Sequence, residues 1–282
     1  MAISITAEEK QILAGVIIPP RPQALLDIAR EAKQEYPDVR KIAKAISQDV
    51  GISAAMLQVV NSVAFRRNSE ISSIHQAVMT LGIKKVFPLV KAVALKGALP
   101  ENPVLNKFWQ SSALVASACT LYASLLDKPS LSDNAYMLGL FHNAGVPVML
   151  QAFTGYQGVL ALGMNQGWEN ITAMEFHEYK TTHTTLGALL AQQWELPKPM
   201  VEVIYYLHDT DGIFTSGELS DISLYLLAIV KLARSSVDGL LCGEYDSQEW
   251  LKVQDPLMSF LNIDEVQLDE LRLAVAEKLS EH

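Results

Sequence analysis

Apolar positions recur at helical spacing along almost the whole chain, and segments of alternating strand type are nearly absent, so the predicted fold class is all-α. Thr6-Ala7-Glu8-Glu9 has the form of a capping box, and Gly15 suits the end of the short helix it opens. Pro19, Pro20 and Pro22 make a stiff connector into a helix predicted over 22–34. Pro37-Asp38 restarts the chain, and Val39, Ile42, Ala43 and Ile46 share one face of the next helix. Ser53 is expected to cap the following one, with Met56, Leu57 and Val60 turned inward. Helices over 73–81 and 83–98 come next, hinged at Gly82.

Pro100-Glu101-Asn102-Pro103 is the expected boundary between an N-terminal helical subdomain, 1–100, and a larger helical part, 101–282. A long helix is predicted from about 104 to 126, where Phe108, Val115, Ala118, Tyr122 and Leu125 lie on a broad apolar stripe. Further helices are expected at about 132–143, 145–153, 156–166, 171–179, 183–194, 198–209, 219–237 and 264–280. Thr172-Ala173-Met174-Glu175 reads as a second capping box. No internal repeat or low-complexity segment is visible.

Half of the 282 residues are hydrophobic and 19% are charged, which excludes a disordered chain and suits one large domain or two packed ones. No apolar run is long enough to span a bilayer, and Met1-Ala2-Ile3-Ser4 does not begin a signal peptide, so a cytoplasmic location without a membrane partner is expected. Cys119 and Cys242 stand far apart in apolar surroundings and are expected to be reduced thiols. The net charge of −9 is uneven. Residues 40–98 hold nine basic side chains, among them Arg66, Arg67, Lys84 and Lys85, against Asp49 and Glu70, a local +7. Those four are the candidate contacts to an anion or partner.

Three partial motifs fail on their own terms. His177 and His183 are six apart, whereas a zinc-protease helix needs histidines at i and i+4. Asp209-Thr210-Asp211-Gly212 resembles the start of a calcium loop, but the position of its bidentate glutamate is Ser220. Residues 42–61 resemble a helix-turn-helix with its turn at Gly51-Ile52-Ser53, yet only Gln58 on the second helix is suited to a base edge. Nucleic acid binding through the basic 40–98 segment is therefore the weakest of three functional readings.

The order of short segments carries a resemblance. Ile18-Pro19-Pro20-Arg21-Pro22 precedes Ile46-Ser47-Gln48-Asp49, Leu57-Gln58-Val59-Val60-Asn61-Ser62 and Leu81-Gly82-Ile83-Lys84-Lys85. Phe108-Trp109, Leu138-Gly139-Leu140-Phe141-His142-Asn143-Ala144-Gly145, His183 with Leu186-Gly187, Trp194-Glu195-Leu196-Pro197 and His208 complete the series. Together they resemble the HDOD family, the HD-related output domains, as one continuous unit over about 17–237. The resemblance implies a multi-helix bundle related to the HD phosphohydrolases and a bacterial signalling context, with a signalling protein as partner in trans or a nucleotide second messenger as ligand.

HD enzymes hydrolyse phosphate esters with metal held by a histidine, a His-Asp pair and a later aspartate. In this chain the pair reads His142-Asn143, the first histidine falls at Ser111-Ser112, and the last aspartate aligns with Arg234. A carboxamide cannot bridge two cations as a carboxylate does, and a guanidinium repels them. The preferred reading is a non-catalytic regulatory module without a cofactor. The alternative is a metal-dependent phosphohydrolase acting on a nucleotide or phosphodiester, in which His142, His183 and His208 meet around a divalent transition metal. Against it stands the reading of His142 as a hydrogen-bonded core residue at a helix end and of His183 near a helix start.

Overall fold

The computed structural model describes residues 5–19, 23–61, 71–98, 103–166, 168, 171–210, 212–243 and 247–280. Every regular element among them is helical, so the fold is all-α as expected. The chain divides into two compact units, Pro19–Glu101 and a larger one formed by Met1–Ile18 with Asn102–Glu281. The first helix, α1 (Ala7–Leu13), thus goes with the larger unit although it precedes the smaller one in sequence. The predicted cap opens it, with Thr6 Oγ1 accepting from the Glu9 amide at 3.1 Å. Buried Glu9 then accepts from the Thr181 hydroxyl at 2.9 Å and ties α1 to the turn at Thr181, 172 positions further along the chain.

The smaller unit holds α2 (Gln23–Ala32), α3 (Val39–Ser47), α4 (Val50–Val60), α5 (Ile74–Leu81) and α6 (Ile83–Gly97). Leu25, Ile28, Ile42, Ile46, Met56, Val78, Leu89 and Val90 are buried in its core, each worth about 1.5–3 kcal/mol when withdrawn from water. Asp38 caps α3 by accepting from the Arg40 amide at 2.8 Å. The expected cap at Ser53 is not found. α4 already begins at Val50, Asp49 accepts from the Ile52 amide, and the Ser53 hydroxyl donates to the Ile46 carbonyl. Gly51-Ile52-Ser53 therefore lies inside a helix and supplies no helix-turn-helix turn. Gly82, at φ +76°, makes the left-handed step between α5 and α6 that other residues resist. The Asn61 carboxamide exchanges two hydrogen bonds of 2.8 Å with the backbone of Ile71, the first described residue after the segment 62–70. Arg66 and Arg67 belong to that segment and lie outside the described residues. Lys84 and Lys85 sit exposed on the first turn of α6.

The larger unit continues with α7 (Pro103–Leu125), α8 (Ser132–Phe141), α9 (Gly145–Ala152), α10 (Tyr156–Gln166), α11 (Ile171–Tyr179), α12 (His183–Gln193) and α13 (Lys198–Tyr205). It ends with α14 (Asp221–Cys242), α15 (Gln248–Leu261) and α16 (Glu265–Ser280). α7, α8 and α14 pack on one another. Tyr122 and Ser236 share a buried hydroxyl contact of 2.5 Å across α7 and α14, and Phe141 meets Trp194 edge to face at 6.3 Å. Cys119 is a free thiol buried in α7, and the side chain of Cys242 lies outside the described residues. Three helices differ from the periodicity, and α14 is one, running to Cys242 where an end near 237 was expected. α13 stops at Tyr205, which leaves His208 in the turn beyond it. α15, for which the sequence pattern gives no helix, starts at a Ser247 cap and runs through Pro256. No described helix is long and apolar enough to cross a membrane.

Candidate functional site

His142 follows the last turn of α8, and its Nδ1 lies 2.7 Å from the Gly139 carbonyl oxygen. A carbonyl only accepts, so Nδ1 carries the proton and Nε2 keeps its lone pair. Burial lowers its pKa to about 3, Arg234 adds to the shift, and the imidazole is neutral. The turn into α9 brings this residue toward α12. A Cβ on Gly145 would stand 1.8 Å from the His183 carbonyl oxygen, so only glycine lets the two backbones meet.

His183 is the first residue of α12, and Thr182 caps that helix by accepting from the Thr185 amide. Glu175 on α11 holds it from behind. Its carboxylate accepts from the His183 amide at 2.9 Å and faces His183 Nδ1 at 2.8 and 2.9 Å, while the Tyr156 hydroxyl donates to it at 2.5 Å. Burial alone would raise the Glu175 pKa, but the neighbouring His183 and these hydrogen bonds hold it below the usual value. Thr172 is therefore no cap and Glu175 no capping-box partner. α11 begins at Ile171, and the fully buried Glu175 is turned into the site.

His208 is held in the same manner by Glu249 on α15, with Nδ1 at 2.8 Å from Oε2. The other oxygen of Glu249 accepts from Lys231 Nζ at 3.0 Å and from Arg234 at 3.1 Å. Lys231 also donates to the Leu207 carbonyl at 2.7 Å. Burial would raise Glu249, yet Arg234, Lys231 and His208 keep it well below the carboxylate range. For His208, burial outweighs Glu249 and lowers the pKa to about 4. The two rings meet through Nε2 of His183 and Nε2 of His208, 3.1 Å apart. Trp168 lies over both, nearly parallel to His208 at 6.2 Å and tilted on His183 at 5.2 Å.

Of the residues expected here, His183 and His208 are in contact, and His142 and Arg234 act on them electrostatically. Asn143 is buried beside His142, and its Oδ1 has no hydrogen-bond partner among the described residues. Ser112 is buried and Ser111 half-buried on α7. Glu175, Glu249, Lys231, Tyr156 and Trp168 were not expected at the site. Lys231 alone had a visible signal, a lone charge within the run Ile229-Val230-Lys231-Leu232-Ala233, which marks a buried and paired cation.

The anchoring of each Nδ1 resembles that of metal-bound histidines, whose second nitrogen is fixed by a carboxylate or carbonyl. The rest does not fit a divalent ion. Both carboxylates are committed to imidazole Nδ1 atoms. The Asn143 Oδ1 is a neutral oxygen, and an ammonium and a guanidinium stand within hydrogen-bond reach of Glu249. Among the described residues no three His, Cys, Asp or Glu side chains are grouped closely enough to hold a metal. Lys231, Arg234, Asp238 and Glu249 also line a small, half-open cleft with Ser235 and Ser247. Burial raises the pKa of Asp238 there, against the pull of Arg234.

Residues 18–210 match the model of the HDOD domain. The chain belongs to the HDOD family. This HDOD chain is 29% identical over 197 residues to an uncharacterized protein of Treponema pallidum (strain Nichols), a match spanning 68% of the chain and 38% of that protein. It is 24% identical over 131 residues to the cyclic di-GMP phosphodiesterase CdgJ of Vibrio cholerae, covering 46% of the chain and 30% of that protein. The chain thus spans about a third of the length of these curated relatives. Its fold is similar to the crystal structure of a proposed phosphohydrolase from Shewanella amazonensis SB2B, with a TM-score of 0.68 at 22% identity, over 96% of each chain. α14 and α15, which supply Lys231, Arg234 and Glu249, lie beyond the matched HDOD segment.

Proposed function

We propose that this HDOD chain is a regulatory module that acts by binding and does not hydrolyse phosphate esters. One observation carries the reading: Lys231 and Arg234 converge on Glu249, the carboxylate that orients His208. Metal-assisted phosphoryl chemistry needs a cation with open coordination positions to polarise the ester and to generate hydroxide. Here both basic groups and both nearby carboxylates are already engaged with one another or with the imidazoles, which leaves no free anionic ligand for such an ion. Trp168 also packs beside the imidazole pair. Binding energy is then directed at a signalling protein in trans or at a nucleotide second messenger. The similarity to part of CdgJ makes cyclic di-GMP the first messenger to test.

The test pairs metal analysis with turnover. Protein purified without added metal is expected to hold far less than one equivalent of zinc, iron or manganese. It is expected to leave bis(p-nitrophenyl) phosphate and cyclic di-GMP intact in the presence of manganese, magnesium or zinc. Stoichiometric metal together with chelator-sensitive hydrolysis that His142→Ala abolishes would overturn the proposal in favour of a metal-dependent phosphohydrolase.

A further inference from the structure

The first helix is anchored in an unusual way. Glu9 is the one buried residue of α1, while Ile12 and Leu13 are half-buried and the rest of the helix is exposed. A surface helix ordinarily docks by an apolar stripe, but this one docks by a carboxyl group. Among the described residues Glu9 forms no ion pair, and its side chain accepts only from the neutral Thr181 hydroxyl. Burying a carboxyl group against a single neutral donor is costly, and the seven residues of α1 form no stable helix by themselves in water. α1 is thus held by a contact that is specific in geometry and weak in net free energy. The hydroxyl it engages sits at a sensitive place. Lys180, just before Thr181, lies in the left-handed region at φ +57°, which residues with a Cβ rarely adopt. Thr181 is fully buried, Thr182 then caps α12, and His183 is the first residue of that helix. The turn is pinned from α11 by Glu175, which takes the His183 amide and ring, and from α1 by Glu9. Beyond its last residue, Leu13, α1 leads through residues 14–18 into the smaller unit, which begins at Pro19.

We propose that α1 is a releasable strap on the site: the Glu9–Thr181 bond holds the α11–α12 turn in the form that sets His183, and withdrawal of α1 loosens that turn. Glu9 is then a positioning residue that acts on His183 through Thr181. A ligand or partner that engages the smaller unit is tied covalently to the strap through residues 14–18. Tension on that connector reaches His183 without any contact between the ligand and the imidazole. The strap serves whichever chemistry His183 performs, so it stands or falls apart from the binding-module reading.

Amide hydrogen exchange of the whole chain tests the strap. In the wild type the amides of Lys10 and Ala14, which bond within α1 and its caps, are expected to exchange well before the core amides of α7 and α14, as a segment that opens by itself does. Glu9→Ala removes the acceptor, and Thr181→Val keeps the volume of threonine but removes the donor. Each is expected to speed exchange at His183, Thr185 and Leu186 by about tenfold, with α7 and α14 unchanged. Those three amides are bonded to Glu175, the Thr182 hydroxyl and the Thr182 carbonyl, so they report the turn itself. Glu9→Gln keeps an acceptor for Thr181 and is expected to exchange there as the wild type does. A general loss of stability would raise exchange in α7 and α14 by the same factor, and that result overturns the proposal. So do wild-type rates at the three amides in Glu9→Ala or in Thr181→Val, rapid exchange there in Glu9→Gln, and α1 amides that open only together with α7 and α14.

Discussion

Glu249 accepts from an imidazole, an ammonium and a guanidinium at once, all within 3.1 Å and almost out of reach of water. Removing one partner from such a cluster leaves the others desolvated without compensation, which costs about 3–5 kcal/mol. Lys231→Met, close in volume and without charge, is expected to lower stability by that amount in urea unfolding, because it also strands the Leu207 carbonyl. A loss below about 1 kcal/mol, the size of an exposed ion pair, would mean that the ammonium is solvated after all. The histidines set the response to acid. His142, at about 3, and His208, at about 4, are both held below their ordinary 6.5, so the unfolded chain binds more protons than the folded one between those limits. Their contribution is complete above pH 6.5. It is lost as pH falls, by about 1.4 kcal/mol per pH unit for each ring until the folded value is reached. Glu175 and Glu249, held below 4.5, withdraw theirs only at lower pH. Urea midpoints should therefore drop between pH 7 and 5, and His142→Asn should flatten the drop. Equal midpoints across that range would refute the neutral, buried assignment. Little of this network was legible in the sequence. The histidines stood out as chemistry-bearing residues, but their carboxylate partners come from 8 and 41 positions away, and nothing local announces such pairings.

At the scale of elements, periodicity was a good guide wherever one helix face is buried. The bounds of α2, α5, α6, α7 and α12 fall within a few residues of those predicted. It failed at α15, where Pro256 interrupts the pattern and where an exposed Leu251 shares the helix with buried Trp250, Val253 and Leu257. It also failed where a local signal had two meanings. Thr172 to Glu175 has capping-box spacing, yet the glutamate is claimed by His183 across the α11–α12 turn, a tertiary demand that the tetrapeptide cannot reveal. The α9–α12 contact shows how an element positions a site residue. Gly145 abuts the His183 carbonyl and the Gly187 amide, and a methyl group there would lie 1.8 and 2.6 Å from them. Since neither neighbour is a flexible side chain, Gly145→Ala must push the helices apart. Overpacking of this kind costs about 1–3 kcal/mol or more. The variant should unfold at lower urea and, if it folds, should lose the contact between His183 and His208 seen in ring spectra. A variant with wild-type stability and an intact ring contact would show that α9 does not position His183.

For the whole molecule, charge is distributed by unit. The segment 40–98 with its net +7 falls inside the smaller unit, Pro19–Glu101, which is basic as a whole, so the larger unit carries all of the acidic excess behind the overall −9. Lys84 and Lys85 give the smaller unit an exposed basic pair at the start of α6, but a helix N-terminus favours anions, and that turn carries no acidic residue to oppose one. An anionic ligand would therefore meet two lysines and a favourable dipole on one unit while the other repels it at longer range. Repulsion of that kind is screened over about 10 Å at 0.1 M salt, whereas contacts to phosphate release counterions and weaken steeply as salt rises. The two effects oppose each other in sign, which makes a salt titration informative. If the basic pair is a contact, cyclic di-GMP binding, measured by calorimetry, should weaken on going from 50 to 200 mM salt. Lys84→Glu with Lys85→Glu should then abolish it without lowering the urea midpoint, because both side chains are exposed. Duplex DNA, with far more charge to be repelled by the larger unit, should bind no tighter than about micromolar even at the lower salt. Binding of cyclic di-GMP that is indifferent to salt and to the double substitution would place the ligand elsewhere, with the cleft beside Arg234 and Ser247 as the next surface to probe.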